Sequence, residues 1–288
     1  MKKKRNKYNK IALFFLLPFL AGGFLFICIP LAVTIKGSFW KRNGEFIGLY
    51  EYQKLFQSGS FILSVKNMLL FFLAALPFLF LLSLAVALSM QFLKKRNSRW
   101  ISALFLFHLL PMLLPSAVIT VIFKIFLETY GVWNKVLTES GKESISFLYS
   151  KYDFWILIGI YLWKNYGYCM IVLYGGINGV AEETIESAKL DGAGAVRILF
   201  QIIFPQIKSF LLFVGSLGVT AVFKIFRESY LLFGKYPHES VYMLQNFMNN
   251  RLYAMDYGAL SAASFFLILF FSVWIYIIFL RGRKENEE

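Results

Sequence analysis

The stretch Glu182–Pro205, EETIESAKLDGAGAVRILFQIIFP, is a polar interlude that lies between long apolar runs and ends in a new apolar rise. Three acidic side chains stand in its first five positions, which suits the positive end of a short helix. Ile185 and Ala188 fall on one side of that helix. Asp191-Gly192 predicts its end, because glycine readily adopts the left-handed conformation of a C-terminal cap. The stretch therefore predicts a small, partly apolar knob between two membrane spans.

The composition around this knob is that of a membrane protein. Of the 288 residues, 58% are hydrophobic and only 16% are charged, and the mean hydropathy is +0.62. Soluble domains carry roughly 25% charged residues. The two cysteines, Cys28 and Cys169, both lie in apolar runs, which favours small buried side chains over a disulfide or a metal site.

Six apolar runs are long enough to cross a bilayer as helices, which takes about 20 residues each. We place them at 11–35, 66–93, 101–127, 154–179, 206–228 and 259–280. The first is longer than the apolar core of a signal peptide, which is about 7–15 residues, so we expect an uncleaved span. The fold class is therefore an all-α polytopic membrane protein with six transmembrane helices.

The net charge of +14 is concentrated beside these runs. Three basic clusters carry much of it: Met1–Lys10, Lys94–Arg99 and Arg281–Lys284. Such placement follows the positive-inside rule rather than nucleic-acid binding. We therefore expect a multi-pass protein of the cytoplasmic membrane with both termini in the cytoplasm.

This topology divides the chain into segments with different surroundings. Residues 1–10 and 281–288 form the cytoplasmic ends, 11–35 the first span and 36–65 an extracytoplasmic segment. A core of five spans covers 66–280 and includes the cytoplasmic loop 180–205.

The spacing within the polar stretch resembles the EAA loop of ABC-importer permeases, the inner-membrane subunits of binding-protein-dependent importers. The family pattern is Glu-Ala-Ala, three residues, Gly, nine residues, Ile, one residue, Leu-Pro. This chain matches it with two mild departures, Ser187 for Ala and Phe204 for Leu. Flanking residues are similar to the carbohydrate-uptake branch, and the resemblance extends over nearly the whole chain.

The resemblance implies a type I ABC-importer permease fold, in which the loop helix seats in a groove of a cytoplasmic ATPase and couples its closure to the spans. The coupling residues by this resemblance are Glu186, Ser187, Ala188, Asp191, Gly192, Ile202 and Pro205. The acidic pair would bind basic groups of the ATPase or cap the helix. The small residues would let the helix sit close, and the proline would fix the angle of the next span.

The chain carries no energy source of its own. Gly141-Lys142 is followed by glutamate and lacks the preceding glycine of a phosphate-binding loop. We therefore expect no enzyme activity and no cofactor in this chain, with ATP and magnesium used by two partner ATPase subunits. Six spans do not enclose a wide sugar pathway alone, so we also expect a second permease, usually a paralogue in this branch. The resemblance adds an extracytoplasmic solute-binding protein.

Polar residues within the spans are candidates for the substrate pathway, because charged and amide groups at that depth usually face a cavity or a partner. The candidates are Asn165, Tyr166, Lys224, Arg227, Glu228 and Tyr230. Lys224 and Glu228 are four residues apart and can pair on one helix face. Alternatively, the fifth span ends near residue 223 and these charges are solvated at its outer edge. His108 is expected to be a packed or pathway-facing polar residue rather than a metal ligand.

The function favoured by these patterns is the permease subunit of an ATP-driven importer for a sugar or oligosaccharide. Because Lys224 and Arg227 are cationic, an anionic sugar or a glycerol-phosphate-type solute is the alternative cargo. An ATP-independent secondary carrier or channel leaves the EAA-like spacing unexplained, and a membrane enzyme acting on lipids lacks a clustered His/Asp/Glu site.

Overall fold

The computed structural model describes residues 14–96 and 101–285. Within these ranges six helical segments are long and apolar enough to span a membrane: Phe14–Phe39, Gly59–Leu93, Ser116–Glu139, Asp153–Asn178, Lys208–Phe233 and Tyr257–Ile277. Helices satisfy each backbone N–H and C=O within one segment, as lipid requires. The predicted all-α membrane fold is confirmed. The predicted basic N-terminus 1–10, residues 97–99 of the second basic cluster and 286–288 of the tail lie outside the described residues.

The described helices, in chain order, are α1 (Phe14–Phe39), α2 (Tyr50–Gln57), α3 (Gly59–Arg96), α4 (Ile101–Leu113), α5 (Ser116–Leu127), α6 (Val132–Glu139), α7 (Asp153–Asn178), α8 (Glu182–Leu190), α9 (Ala195–Gln206), α10 (Lys208–Lys224), α11 (Phe226–Phe233), α12 (Leu244–Tyr253) and α13 (Tyr257–Glu285). Two of them contain a wider π-helical turn, Phe24–Cys28 in α1 and Leu199–Ile203 in α9.

Several spans have bounds that differ from the apolar runs in the sequence. The first helix continues to Phe39, and the second begins at Gly59. The segment predicted as 36–65 is therefore helical at both ends, and the amphipathic helix α2 lies within it. Hydropathy reports where a chain is apolar, whereas a helix continues into polar sequence until a breaker stops it.

The predicted third span, 101–127, consists of two helices. α4 contains Pro111 and ends at Leu113, and α5 begins at Ser116. Between them Pro115 has extended backbone angles, φ −58° and ψ 143°. Proline lacks the N–H that would continue the helical ladder, so the second helix starts afresh after it.

The described chain divides into two compact units. The first comprises the described residues of Met1–Ile62 together with Met248–Leu280, and the second is built on Leu63–Phe247.

In the second unit α7 is the central helix. It packs against α4 and α10, and its Leu157, Ile160, Met170 and Leu173 are completely buried. Tyr161 is also buried, and its hydroxyl donates a hydrogen bond to the carbonyl of Gly218 in α10 at 2.9 Å. An apolar core with its few polar groups paired is what a buried membrane helix requires.

In the first unit the C-terminal end of α1 meets the N-terminal end of α13. A Cβ atom on Gly37 would lie 2.7 Å from the hydroxyl of Ser261, so glycine permits this close approach. The ring of Phe39 contacts the rings of Tyr52 in α2 and Phe265 in α13, with centroids 5.5 and 5.9 Å apart. Aromatic packing therefore joins three helices at this end of the unit.

Candidate functional site

The polar stretch after α7 folds as predicted into a short helix, α8, with Glu182 and Glu183 in its first turn. Its C-terminus closes with two backbone hydrogen bonds. The N–H of Ala193 donates to the carbonyl of Ala188 at 2.9 Å, and the N–H of Gly192 donates to that of Lys189 at 3.0 Å. This pair of bonds is a Schellman motif, and Gly192 occupies its left-handed position with φ +80°. The predicted role of this glycine in ending the helix is confirmed.

The predicted coupling residues on α8 lie at the surface. Glu186, Ser187 and Asp191 are exposed, and Ala188 is half-buried. Large apolar side chains stand beside them: Leu190 is 89% exposed and Val196 is 71% exposed. The loop therefore presents a knob that combines acidic and apolar groups at its surface.

The end of the polar stretch contains the π-helical turn Leu199–Ile203, followed by Phe204-Pro205-Gln206 in helical conformation. Pro205 is exposed and Ile202 is half-buried, whereas Ile203 is buried. Pro205 has no N–H to continue the ladder, and its ring crowds the turn before it. The wider π turn immediately before the proline accommodates this crowding, and the helix ends one residue after Pro205, at Gln206.

A buried polar cluster joins three helices of the second unit. The ammonium of Lys164 in α7 forms an ion pair with the carboxylate of Glu228 in α11. The hydroxyl of Ser116, at the start of α5, donates to the same carboxylate at 2.6 Å and accepts from Lys164 at 3.1 Å. Glu228 is 1% exposed and the side chain of Lys164 is 22% exposed.

The cluster provides partners for the buried carboxylate of Glu228, which apolar surroundings would otherwise disfavour strongly. An isolated carboxylate at this depth costs several kcal/mol, and pairing with an ammonium and a hydroxyl offsets that cost. The cluster therefore fixes α5, α7 and α11 to one another through a single carboxylate.

The other candidates near Glu228 in the sequence are more exposed than Glu228 itself. Lys224 ends α10, and both Lys224 and Arg227 are exposed. Tyr230 is half-buried, and its ring lies 5.6 Å from that of Phe226. The pairing of Lys224 with Glu228 expected from their spacing is wrong. Lys224 is exposed, whereas Glu228 is buried and pairs with Lys164, so the four-residue spacing alone does not bring Lys224 and Glu228 together.

The two candidates in α7 make different contacts. The amide of Asn165 donates to the carbonyl of Tyr161 in its own helix at 2.7 Å. The hydroxyl of Tyr166 hydrogen-bonds Nδ1 of His108 in α4 at 2.9 Å. A Cβ on Gly167 would collide with the carbonyl of His108, so α4 and α7 cross with their backbones in contact there. His108 is thus a packed polar residue at a helix crossing.

A family model identifies the protein family of this chain. Residues 80–282 match the binding-protein-dependent transport system inner membrane component, and this range contains both the knob and the buried cluster. The chain belongs to this family. It is a permease-type, multi-pass membrane protein.

Relatives of this permease are named as permease proteins of transport systems. The osmoprotective compounds uptake permease protein GgtC of Synechocystis is 27% identical, over 73% of this chain and 76% of that protein. The alpha-glucoside transport system permease protein AglF of Rhizobium meliloti is 28% identical, over 74% of this chain and 64% of that protein.

The permease also shares its fold with a solved structure, that of a bacterial alginate ABC transporter in complex with an alginate pentasaccharide-bound periplasmic protein. The TM-score is 0.83 and the sequence identity is 23%, over 98% of this chain and 96% of that chain. The likeness shows that the permease has the ABC-importer permease fold.

The cluster includes two residues that are absent from the candidates named from the sequence, Lys164 and Ser116. A signal existed for Lys164, because a lysine within one span and a glutamate within another are each expected to find a partner. No comparable signal exists for Ser116, since isolated serines are common in membrane helices.

Proposed function

We propose that this permease is one of two membrane subunits of an ATP-driven importer for a carbohydrate delivered by an extracytoplasmic solute-binding protein. Its partners are a second permease, a paralogue of this chain, and two cytoplasmic ATPase subunits that use ATP and magnesium. The observation that carries the proposal is the knob formed by α8 and its glycine-closed end.

The knob has the properties of a docking element. Leu190 and Val196 expose apolar surface close to acidic side chains, and such surface on a transport subunit fits a protein partner. Glu186 and Asp191 are exposed beside it and are available to basic groups of that partner. The Schellman end gives the knob a fixed shape, so closure of the ATPase subunits would move α8 as a unit and, through α9, the spans that follow it.

The first span supports a second permease. In the most apolar part of α1 no residue is buried within the described chain, so most of the apolar surface of this helix is available to lipid and to a partner subunit. Transporter binding sites lie between helical bundles, which requires a second bundle here.

The orientation follows from charge. The basic clusters at Met1–Lys10, Lys94–Arg99 and Arg281–Lys284 share one side of a six-span topology, and that side is cytoplasmic by the positive-inside rule. The same side carries the knob, as docking to a cytoplasmic ATPase requires.

A carbohydrate cargo is supported by the relative named for alpha-glucoside transport and by the fold shared with an alginate transporter. The exposed cations Lys224 and Arg227 favour an acidic sugar as the second candidate. In either case the mechanism is alternating access, in which ATP-driven closure of the ATPase pair opens the outer cavity and hydrolysis resets the inward-facing state.

The test is co-purification of the tagged chain in detergent with its co-expressed partners. Gly192→Val strains the left-handed position without any clash, because a Cβ there meets open space. Gly192→Asn is a second variant, since asparagine tolerates that conformation. Gly141→Val is the matched control, because Gly141 also has a positive φ of 76° and open space around it but lies outside the knob.

We expect wild type and Gly141→Val to retain an ATPase and a second permease, Gly192→Val to lose the ATPase while keeping the permease, and Gly192→Asn to fall between them. Equal retention of the ATPase by all variants contradicts the docking role of the knob. Wild type that purifies alone and transports without ATP supports the secondary-carrier alternative instead.

A further inference from the structure

A crevice of about 860 Å³ opens in the first unit between the end of α1 and the start of α13. Three cationic side chains line it, those of Lys36, Lys41 and Arg42. Glu51 and Asp256 are the acidic residues that line it. The crevice is remote from the knob in sequence and contains no residue of the buried cluster, so the transport proposal does not use it.

Salt bridges account for part of this charge. Lys41 pairs at 2.9 Å with Glu45, which does not line the crevice. Asp256 lies 3.4 Å from Lys54 and 3.6 Å from Arg251, both also outside the lining. Asp256 is therefore neutralised by groups that do not line the crevice.

The carboxylate of Glu51 is turned toward the protein. A Cβ on Gly258 would lie 2.7 Å from both its Cδ and Oε1, which places the carboxylate against the first turn of α13. The positive end of that helix dipole faces the carboxylate. Lys36 and Arg42 have no acidic partner within the described part of the chain. Lys36 and Arg42 are therefore the two cations of the lining that form no ion pair with a described residue, and they outnumber the one lining carboxylate that forms none, that of Glu51.

The surroundings of the crevice select the kind of anion. Val33 lines it, is 64% exposed and continues the exposed apolar face of α1. Trp40 and Tyr257, residues typical of the membrane–water interface, also line it. A headgroup seated between the cations would have its acyl chains against α1, whereas a small soluble anion would leave that apolar surface uncovered.

We propose that this crevice binds the headgroup of an anionic phospholipid, with Lys36 and Arg42 contacting the phosphate. The proposal requires only that α1 and α13 cross the membrane, and it does not depend on ATP-driven transport. Each cation near a membrane surface should strengthen the binding of anionic lipid about fivefold.

The experiment measures lipid binding to the purified full-length chain by native mass spectrometry. The probes are phosphatidylglycerol and phosphatidylcholine with identical acyl chains, and soluble glycerol 1-phosphate is added as a competitor. Lys36→Gln/Arg42→Gln is the test variant. Lys135→Gln/Lys142→Gln is the matched control, because it removes the same charge from exposed positions outside the crevice.

We expect wild type and the control to prefer phosphatidylglycerol, and the test variant to bind it about thirtyfold more weakly. If the double variant fails to fold, Arg42→Gln alone should weaken binding about fivefold. Unchanged phosphatidylglycerol binding by the test variants, an equal loss in the control, or displacement of the lipid by glycerol 1-phosphate would each overturn the proposal.

Discussion

Glu228 and Lys164 lie 64 residues apart in the chain and form an ion pair within the helical bundle of the second unit. The serine that shares this carboxylate is 112 residues from it. Three helices thus meet at one charge, and each contributes one polar group. Removing either charged member leaves the other buried without its ionic partner, which destabilises the fold.

The first prediction concerns this pair. Lys164→Met should destabilise the chain by about 3–5 kcal/mol, because it leaves the buried carboxylate unpaired. Lys164→Met/Glu228→Met should recover most of that loss, since two apolar side chains of similar volume need no partner. Thermal unfolding of each variant in the same detergent supplies the measurement.

Glu228→Met and Ser116→Ala complete this series. Ser116→Ala removes one neutral donor and keeps the ion pair, so its loss should be only about 1–2 kcal/mol. If the double methionine variant is no more stable than Lys164→Met alone, the pair does not act as a coupled unit.

A second prediction tests the crossing of α4 and α7. Gly167→Ala should destabilise the chain by about 1–3 kcal/mol, because the added Cβ meets the backbone carbonyl of His108 and the helices must move apart. Gly159→Ala is the control in the same helix, where a Cβ meets open space. That change should be neutral or stabilising by up to about 1 kcal/mol. Equal unfolding temperatures for the two variants would mean that the crossing tolerates side-chain bulk.

A third prediction concerns the cationic candidates for substrate contact. Lys224→Ala and Arg227→Ala should each alter stability by no more than about 0.5 kcal/mol, because both side chains are exposed. Each substitution also removes a charged donor from the candidate substrate site. Loss of its hydrogen bond to an acidic sugar should raise the KM for that sugar about tenfold or more. Uptake by proteoliposomes containing the complete importer and its binding protein tests this, with Lys135→Ala as the control. Unchanged uptake of every ligand would exclude these two residues from the pathway.

The fourth prediction concerns the buried amide of Asn67 in α3. It donates to two backbone carbonyls, those of Glu239 and Tyr242, the second at 3.0 Å. Asn67→Leu should destabilise the chain by about 1–3 kcal/mol, because both carbonyls lose their donor. Asn178→Leu is the control, since that exposed amide donates to a carbonyl of its own helix, that of Tyr174, at 3.0 Å. Hydrogen exchange of residues 239–242 should accelerate in Asn67→Leu and remain unchanged in the control.

The sequence determined the features that depend on local chemistry. Long apolar runs must become helices in lipid, so the six-span architecture follows from composition and length. The extent and end of α8 are equally local, because acidic residues favour its first turn and Gly192 supplies the left-handed residue that its end needs. The break within 101–127 also had a local cause in Pro115, although hydropathy alone joined the two helices into one run.

Only the tertiary structure decided which polar groups meet. The spacing of Lys224 and Glu228 favoured a pair, yet Lys224 is exposed and the buried carboxylate of Glu228 pairs with Lys164 instead. Helical periodicity describes neighbours within one helix, whereas a buried charge finds its partner wherever packing brings one close. The same reason applies to His108 and Tyr166, and to Lys36 and Arg42 in the crevice of the first unit. Their surroundings are set by helices that are distant in sequence.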